Sequence, residues 1–272
     1  MLPTFIVIGA MKCGTTSLYY YLDAHPDVAM SIQKETDFFI QGRNYEKRRD
    51  WYESRFQEEV IARGECSTNY TKAHLFPGVA QRMHELVPEV QLVYMVRDPV
   101  RRMISHYVQN RVQEDENRSF AEAVTTCATN KYVMTSRYYW QLQPYLETFG
   151  DEQILVRSLE SLRDDPARVL GDIQSFIGVQ SRVTDRQLRQ GRFNARSEKK
   201  IRGEWYRWLS GLLNQPIKDT LRPYVPLQWL PGASVDPPDP SKELRDRLRE
   251  AVREDVESLR QLTGRSFDRW SV

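Results

Sequence analysis

Short runs of apolar residues alternate along this chain with segments whose apolar positions recur every three or four residues. Thr4–Ile8 and Gln91–Val96 are rich in branched aliphatic side chains. Uninterrupted apolar runs of this length are typical of strands that are buried on both faces of a parallel sheet. Shorter runs predict three further strands, at Val28–Met30, Val60–Glu65 and Gln153–Val156.

Helical periodicity fills the intervals between these strands. Helices are predicted at about Thr15–Ala24, Leu75–Val87, Val100–Gln113 and Pro166–Ile177, with further helical segments over 119–149. Strands that alternate with helices indicate β-α-β units, whose strands pair in parallel and whose helices cover the faces of the sheet. The predicted fold class is therefore α/β, with three layers and a central, mainly parallel sheet flanked by helices.

The last part of the chain has a different pattern. A proline-rich segment at about 214–240 predicts irregular structure, and a single C-terminal helix is predicted over about 241–263. This helix carries one apolar stripe and ends at Gly264. No internal repeat or low-complexity tract divides the chain, so we expect one domain over residues 1–272.

Composition narrows the function classes. The chain has 272 residues, with 39 Lys and Arg against 37 Asp and Glu, and a formal net charge of +2. A protein that wraps nucleic acid through many phosphate contacts needs a larger positive excess, so that class is excluded. Three cysteines are too few for a disulfide framework, which predicts a reducing compartment and a cytoplasmic location.

Two further absences from the sequence pattern shape the expectations. No apolar run reaches the ~20 residues of a membrane helix, and no secretory signal is visible, so we expect no transmembrane segment. The four histidines show no metal-binding spacing, so we expect no metal site.

The strongest chemical signal is the segment Gly9-Ala-Met-Lys12-Cys13-Gly14-Thr15-Thr16-Ser17, between the first strand and the first helix. Backbone amides and the helix dipole make such a position an anion site. The two glycines have the spacing of a nucleotide P-loop, and Thr16 stands at its Ser/Thr position. The lysine, however, lies inside the loop at Lys12, so the segment predicts phosphate binding without clear support for ATP chemistry.

A second signal follows the strand Gln91–Val96. Arg97 stands at the carboxyl end of this strand, which faces the ligand crevice in open α/β sheets. Arginine suits bidentate binding of phosphate. Ser105 lies eight residues later, two turns into the next predicted helix. Asp98 leaves open a Mg²⁺ ligand of the kind that P-loop kinases use.

Together, segment 5–25 and segment 97–105 resemble the 5′-phosphosulfate loop and the 3′-phosphate motif of sulfotransferases that use 3′-phosphoadenosine 5′-phosphosulfate (PAPS). Those enzymes have a P-loop-like fold. The resemblance implies that Arg97 and Ser105 bind the 3′-phosphate, that 3′,5′-ADP is a product and that no metal is needed. It implies that the 5′-phosphosulfate is held by Lys12, Cys13, Gly14, Thr15, Thr16 and Ser17, with Lys12 also stabilising charge on the bridging oxygen.

The segment Lys34-Glu35-Thr36-Asp37-Phe38-Phe39 resembles the part of heparan-sulfate-type sulfotransferases in which a glutamate takes the acceptor proton. This resemblance implies that Glu35 is the general base, with Lys34 and Asp37 as neighbours that tune or orient it. Cytosolic small-molecule sulfotransferases use a histidine instead. His74 remains the alternative base, because the matching segment Gly64–Tyr70 has no histidine.

Two other features bear on the resemblance. The heparan-sulfate-type enzymes carry a lysine, which helps neutralise the sulfate, where this chain has Cys66. This departure is an argument against a glycosaminoglycan as the acceptor. A basic cluster at 192–202 resembles the late loop that closes over the 3′-phosphate, which implies a contact from Arg196, Lys199 or Lys200.

The expected function is that of a PAPS-dependent sulfotransferase, which transfers a sulfuryl group in line to the hydroxyl of a metabolite, lipid or saccharide, with no nucleic-acid partner. Two alternatives stay open at this point. One is a small-molecule kinase that uses ATP and Mg²⁺. The other is a non-catalytic nucleotide-binding protein on the same fold.

Overall fold

The computed structural model describes residues 1–56, 59–113, 116–127, 129–183, 200–202, 232–234 and 236–272. Its central sheet has five strands: β1 (Phe5–Gly9), β2 (Val28–Met30), β3 (Ala62–Cys66), β4 (Gln91–Val96) and β5 (Ile154–Ser158). Their order across the sheet is β2-β3-β1-β4-β5, and every neighbouring pair is parallel. The predicted α/β class is therefore confirmed.

Helices connect the strands and cover the sheet. Short 3₁₀ turns at Tyr45–Lys47 and Asp151–Gln153 accompany them. In chain order, the described helices are α1 (Thr15–Asp23), α2 (Arg48–Glu53), α3 (Val79–Leu86), α4 (Pro99–Gln113), α5 (Phe120–Ala123), α6 (Lys131–Met134), α7 (Tyr138–Leu146), α8 (Leu159–Asp164), α9 (Pro166–Phe176), α10 (Lys242–Glu250) and α11 (Arg253–Thr263).

The core is built around β1 and β4, the two strands with the longest apolar runs. Every residue of β1 is buried, as is all of β4 after Gln91. Residues buried on both faces are what a central strand between two helical layers requires. β1 also lies where the chain order reverses across the sheet, with β3 on one side and β4 on the other. In open α/β sheets, ligands bind at the carboxyl ends of strands at such a point.

Some predicted boundaries are wrong. The third helix begins at Val79 and not at Leu75, because Pro77 and Gly78 (φ +75°) interrupt the chain just before it. The single C-terminal helix is two helices, α10 and α11. Val252 leaves the helical conformation (φ −122°, ψ 2°) and is buried, while Arg137 donates to the carbonyl oxygen of Ala251 at 3.3 Å.

This break has a packing consequence. It places Asp255 in the first turn of α11, where its carboxylate accepts hydrogen bonds from the backbone amides of Tyr139 (3.0 Å) and Trp140 (2.8 Å) at the start of α7. A continuous helix would have a different direction after residue 250 and would not bring Asp255 to α7. The contact with α7 therefore favours two helices, although the apolar stripe is continuous.

Only parts of the predicted proline-rich segment are described. The backbone of β6 (Lys200–Arg202) pairs antiparallel with β7 (Gly232–Ser234). β6 lies next to α4. In the described ranges, no helix is long and apolar enough to cross a membrane.

Candidate active site

The loop between β1 and α1 lies at the carboxyl edge of the sheet, in the middle of the strand order. The amide of Ala10 donates to the carbonyl oxygen of Met95 on β4 at 2.6 Å, which ties the loop to the neighbouring strand. Lys12 (φ +72°) and Gly14 (φ +85°) both have left-handed backbone conformations. Two such residues on either side of Cys13 produce the tight turn that brings successive amides onto one concave face.

Gly14 is the N-cap of α1. A glycine has no side chain that could accept hydrogen bonds from the amides of the first turn. The backbone N–H groups of Thr15, Thr16 and Ser17 are therefore available to an anion. The hydroxyl-bearing residues Thr16 and Ser17 are half-buried, while Thr15 is buried. This arrangement leaves room for an anion at the start of α1, and the predicted binding of a phosphate there stays a prediction.

Cys13 departs from the other loop residues, because its side chain lies in the core. It is fully buried, and its Sγ lies 3.5 Å from the Tyr138 hydroxyl. Burial raises the pKa of the thiol to about 11, so it is protonated at neutral pH. Its backbone amide already donates to Ala10 at 3.2 Å. The predicted contact of Cys13 with the phosphosulfate therefore has no support from its side chain.

Arg97 leaves the end of β4 and reaches the phosphate loop. Its Nη1 donates to the carbonyl oxygen of Lys12 at 3.4 Å. Its Nε is buried and has no hydrogen-bond partner among the described residues. A buried guanidinium donor without a partner is costly, and a phosphate oxygen would satisfy it. Ser105 is half-buried on α4, the helix that begins two residues after Arg97.

Asp98, the Mg²⁺ ligand that the sequence leaves open, has a structural role in the described residues. The side chain is fully buried. Its Oδ1 accepts from the Arg101 amide at 2.8 Å, and its Oδ2 accepts from the Ser271 amide. Both oxygens thus hold backbone groups, one at the start of α4 and one in the C-terminal tail. Asp98 is a structural residue that fixes the strand end beside Arg97.

The C-terminal tail completes this support. Glu160 on α8 accepts from the Asp98 amide and from the indole N–H of Trp270, each at 3.2 Å. Trp270 is buried and stacks on Phe267 with ring centroids 4.3 Å apart. The C-terminal tail therefore holds the end of β4 in place.

Glu35 lies in the loop after β2, at the carboxyl end of β3. Its backbone (φ +63°) is left-handed, and its amide donates to the carbonyl oxygen of Cys66 at 2.9 Å. The Thr68 amide donates to Oε2 of Glu35 at 2.7 Å, and the Thr68 hydroxyl lies 3.2 Å from the same oxygen. The Lys34 ammonium pairs with Oε1. The carboxylate is one-third exposed, so it is both fixed and accessible.

Asp37, which the sequence predicts to tune or orient Glu35, makes its hydrogen bonds elsewhere. Its carboxylate pairs with Arg43 and accepts from the Asn69 side-chain amide at 2.8 Å. The Asp37 side chain is buried, and burial raises its pKa despite the lowering effects of Asn69 and Arg43. Asp37 therefore holds the loop through Arg43 and Asn69, whereas Lys34 is the neighbour that contacts Glu35 directly. Phe38 and Phe39 lie in the core.

Glu65 is a residue that sequence reasoning missed. It is the fourth residue of β3, fully buried, and it accepts a hydrogen bond from the Thr36 hydroxyl. Thr36 also lies 3.2 Å from the Tyr70 hydroxyl. Burial raises the pKa of Glu65 to about 7, against the lowering effect of the bond from Thr36. The signal that could have found it is a carboxylate near the carboxyl end of a predicted strand, directly before Cys66.

The histidines lie apart from this carboxylate. His25 is buried, with its ring nitrogens 3.0 Å from the Gln180 carbonyl oxygen and 3.1 Å from the Asp27 amide, so it is structural. His74 lies in a turn before α3, where its Nδ1 is 3.0 Å from the Gln141 side-chain nitrogen. His106 is buried, and its Nδ1 lies 3.3 Å from Arg102. Among the described residues, His74 and His106 thus contact Gln141 and Arg102, and not Glu35 or Thr68.

The basic cluster at 192–202 is mostly outside the described residues. Arg196 and Lys199 lie there, and for Lys200 the structure gives only the backbone, in β6 beside α4. Their expected contact with the 3′-phosphate stays a prediction. Over the ranges that the structure describes, no group of three or more His, Cys, Asp or Glu residues could hold a metal ion.

Comparison with known proteins gives a family for this geometry. A general sequence model of the sulfotransferase domain matches residues 2–209, a span that includes the phosphate loop, Glu35, Arg97 and Ser105. Human heparan sulfate glucosamine 3-O-sulfotransferase 3B1 is 31% identical over 195 residues, which is 69% of this chain and 49% of that protein.

A longer relative and a solved structure extend the comparison. Mouse bifunctional heparan sulfate N-deacetylase/N-sulfotransferase 4 is 30% identical over 198 residues, which is 65% of this chain but 22% of that protein. The chain therefore spans only a part of these relatives. The crystal structure of a sulfotransferase from Alicyclobacillus acidocaldarius is 26% identical, with a TM-score of 0.71 and coverage of 100% of both chains.

Proposed function

This chain belongs to the sulfotransferase family, and we propose from that premise that it transfers a sulfuryl group from PAPS to an acceptor hydroxyl, with Glu35 as the general base. The observation that carries the proposal is the fixed position of the Glu35 carboxylate. Thr68 at the end of β3 holds one of its oxygens, and β3 pairs directly with β1, the strand that carries the phosphate loop.

The donor site is supported by three features of the described residues. Gly14 leaves the amides at the start of α1 available for the 5′-phosphosulfate. Lys12 lies inside the loop and would bring positive charge to the bridging oxygen. The buried Nε of Arg97, which has no partner among the described residues, fits an oxygen of the 3′-phosphate. Ser105 on α4 would donate its hydroxyl to the same phosphate.

The proposed reaction is a single in-line displacement at sulfur. The acceptor oxygen forms a bond to sulfur while the bond between sulfur and the 5′-phosphate oxygen breaks. The acceptor proton passes to the Glu35 carboxylate, and the sulfated acceptor and 3′,5′-ADP leave. Lys12 and the amides of the loop stabilise the charge that develops on the leaving oxygen. The remaining task of the protein is to position the two reactants.

The acceptor class is the finer part of the proposal. The relatives named above act, by their names, on heparan sulfate, and in one case on a glucosamine hydroxyl. We propose a saccharide or small-molecule hydroxyl for this chain. The position of Cys66, where a lysine is expected in heparan-sulfate-type enzymes, favours an acceptor other than a glycosaminoglycan.

The test is transfer of label from ³⁵S-labelled PAPS to three hydroxyl acceptors: 2-naphthol, a glucose-based glycolipid and desulfated heparan oligosaccharides. Glu35→Gln should lower the best rate by roughly 100-fold or more, because a positioned general base contributes that much. Its affinity for 3′,5′-ADP should be almost unchanged, because this product lacks the sulfuryl group that the acceptor attacks and the hydrogen bonds of the Glu35 carboxylate go to Lys34 and Thr68. Glu46→Gln, an exposed carboxylate in the same loop, is the matched control.

Two results would contradict the proposal in different ways. Full activity of Glu35→Gln would show that another group is the base. Binding of 3′,5′-ADP by the unaltered protein, with no label transferred to any acceptor or released to water, would favour a non-catalytic nucleotide-binding protein.

A further inference from the structure

Lys34 joins two groups that come from different parts of the chain. Its ammonium pairs with Oε1 of Glu35. The Glu35 backbone amide donates to the carbonyl oxygen of Cys66 at 2.9 Å, at the end of β3, which places the ammonium beside the Cys66 thiol. The Lys34 side chain is about one-fifth exposed. Burial lowers the pKa of Lys34, but the ion pair with the Glu35 carboxylate opposes this effect and the net pKa is raised, so the ammonium stays charged.

Cys66 connects this contact to the phosphate loop. Its Sγ lies 3.8 Å from the carbonyl oxygen of Thr15, the first residue of α1. The Cys66 side chain is fully buried, and burial raises the pKa of the thiol to about 12. The thiol is therefore neutral at physiological pH. The only full charge that the pair Lys34 and Cys66 brings to this place is the lysine ammonium.

The reaction needs a positive charge at this place. Glu35 must approach an acceptor oxygen that attacks an anionic sulfuryl group. Two negative groups that meet in a partly buried site repel each other strongly, because the effective dielectric constant there is low. An ammonium in contact with the carboxylate offsets that repulsion and fixes the orientation of Oε1, while Thr68 fixes Oε2.

We propose that Lys34 is a positioning residue that supplies the positive charge between the Glu35 carboxylate and the sulfuryl group. Its ammonium does so from a position beside the Cys66 side chain. The inference rests on the proposed sulfuryl transfer with Glu35 as base. Since the two side chains lie side by side, the charge can come from either position 34 or position 66.

The test is an exchange of charge between the two positions. Lys34→Ala should lower kcat at least about tenfold, with less change in KM for PAPS, because a charge that acts on the reacting groups contributes mainly to kcat. Lys34→Ala/Cys66→Lys should recover much of the lost rate. Lys34→Ala/Cys66→Met, which adds similar bulk without charge, should not recover it.

Three measurements accompany these variants. The rate is followed with ³⁵S-labelled PAPS, as transfer to the best acceptor of the three or as release of labelled sulfate to water. Calorimetry with 3′,5′-ADP should give a dissociation constant close to that of the unaltered protein, which also shows that each variant is folded. Lys47→Ala, an exposed lysine of the following turn that lies over Trp51, should keep full activity.

The outcomes separate this inference from the proposed function. The role of Lys34 is refuted, while Glu35 remains the base, if Lys34→Ala keeps the kcat of the unaltered protein. It is also refuted if Lys34→Ala/Cys66→Met recovers the rate as well as Lys34→Ala/Cys66→Lys does. If Lys34→Ala no longer binds 3′,5′-ADP, the residue supports the fold or the nucleotide site and the inference is again wrong. An unaltered protein without any label transfer or release would refute the proposed function itself.

Discussion

The guanidinium of Arg97 donates to the carbonyl oxygen of Lys12 across 3.4 Å, and so joins two segments that are 85 residues apart in the chain. Arg97 ends β4 and Lys12 lies in the loop after β1, and these strands are neighbours in the sheet. The contact brings the side chain proposed for the 3′-phosphate to the edge of the loop proposed for the 5′-phosphosulfate. Under the proposed assignment, both ends of one nucleotide would lie within a single site.

The first prediction concerns this arginine. Arg97→Ala should weaken 3′,5′-ADP binding by roughly 10- to 100-fold, because a hydrogen-bonded charge pair contributes about 1.5–3 kcal/mol. Binding of 5′-AMP, which lacks the 3′-phosphate, should change much less. Calorimetry with the two nucleotides measures both effects. Arg101→Ala removes an exposed arginine from the next helix turn and should leave both affinities unchanged.

If Arg97→Ala weakened both nucleotides equally, Arg97 would support the loop through its contact with Lys12 and would not bind the 3′-phosphate.

The second prediction concerns the glycine that starts α1. Gly14 and Gly178 have nearly the same backbone conformation, with φ of +85° and +81°. An alanine Cβ at position 14 would lie 2.6 Å from Cδ1 of Leu159, which is buried, whereas at position 178 it would meet nothing within 4 Å. Gly178→Ala should cost about 1–2 kcal/mol of unfolding free energy for the left-handed backbone alone.

Gly14→Ala should cost about 1–3 kcal/mol more, since overpacking adds to the backbone strain. Urea denaturation of the two variants measures the difference. Equal losses of stability would mean that Leu159 moves aside freely and that position 14 needs glycine only for its backbone.

The third prediction concerns the buried carboxyl of Glu65. Its pKa is about 7 in the folded protein against an ordinary value of 4.5, so the folded state binds this proton more tightly than the unfolded state does. Stability should therefore fall as pH rises from about 4.5 to 7, by roughly 3 kcal/mol from this group.

Glu65→Gln should remove this part of the pH dependence. Burial raises the pKa of Asp255 to about 6, so this residue also makes the unfolding free energy fall as pH rises. Its contribution should remain in the variant as a smaller dependence of stability on pH. Urea denaturation at pH 5 and pH 8 measures both proteins. The same slope in Glu65→Gln and in the unaltered protein would show that Glu65 does not titrate in this range.

The two nucleotide segments could be predicted from the sequence because each is local. A strand, a glycine turn and a helix follow one another at the phosphate loop, and Arg97 directly follows an apolar strand. The α/β class follows from the same alternation of strands and helices. The structure of these segments depends mainly on residues that are neighbours in the chain, so residue types and spacing are enough to predict it.

Other features depend on contacts between distant segments, and the pattern does not contain them. The apolar stripe of the C-terminal helix runs through Val252 without interruption, yet Arg137 and the α7 amides divide it. Asp98 has the position of a metal ligand in sequence, but Ser271, at the other end of the chain, takes one of its oxygens. The meeting of Lys34 with Cys66 depends on the pairing of β2 with β3.

The most direct test of the central claim is calorimetric titration of the unaltered protein with 3′,5′-ADP and, separately, with ATP and Mg²⁺. The account predicts that 3′,5′-ADP binds at least about tenfold more tightly, because Arg97 and the loop amides would hold its two phosphates, whereas both oxygens of the buried Asp98 carboxylate already accept hydrogen bonds from backbone amides. Equal or tighter binding of ATP with Mg²⁺ would contradict the account.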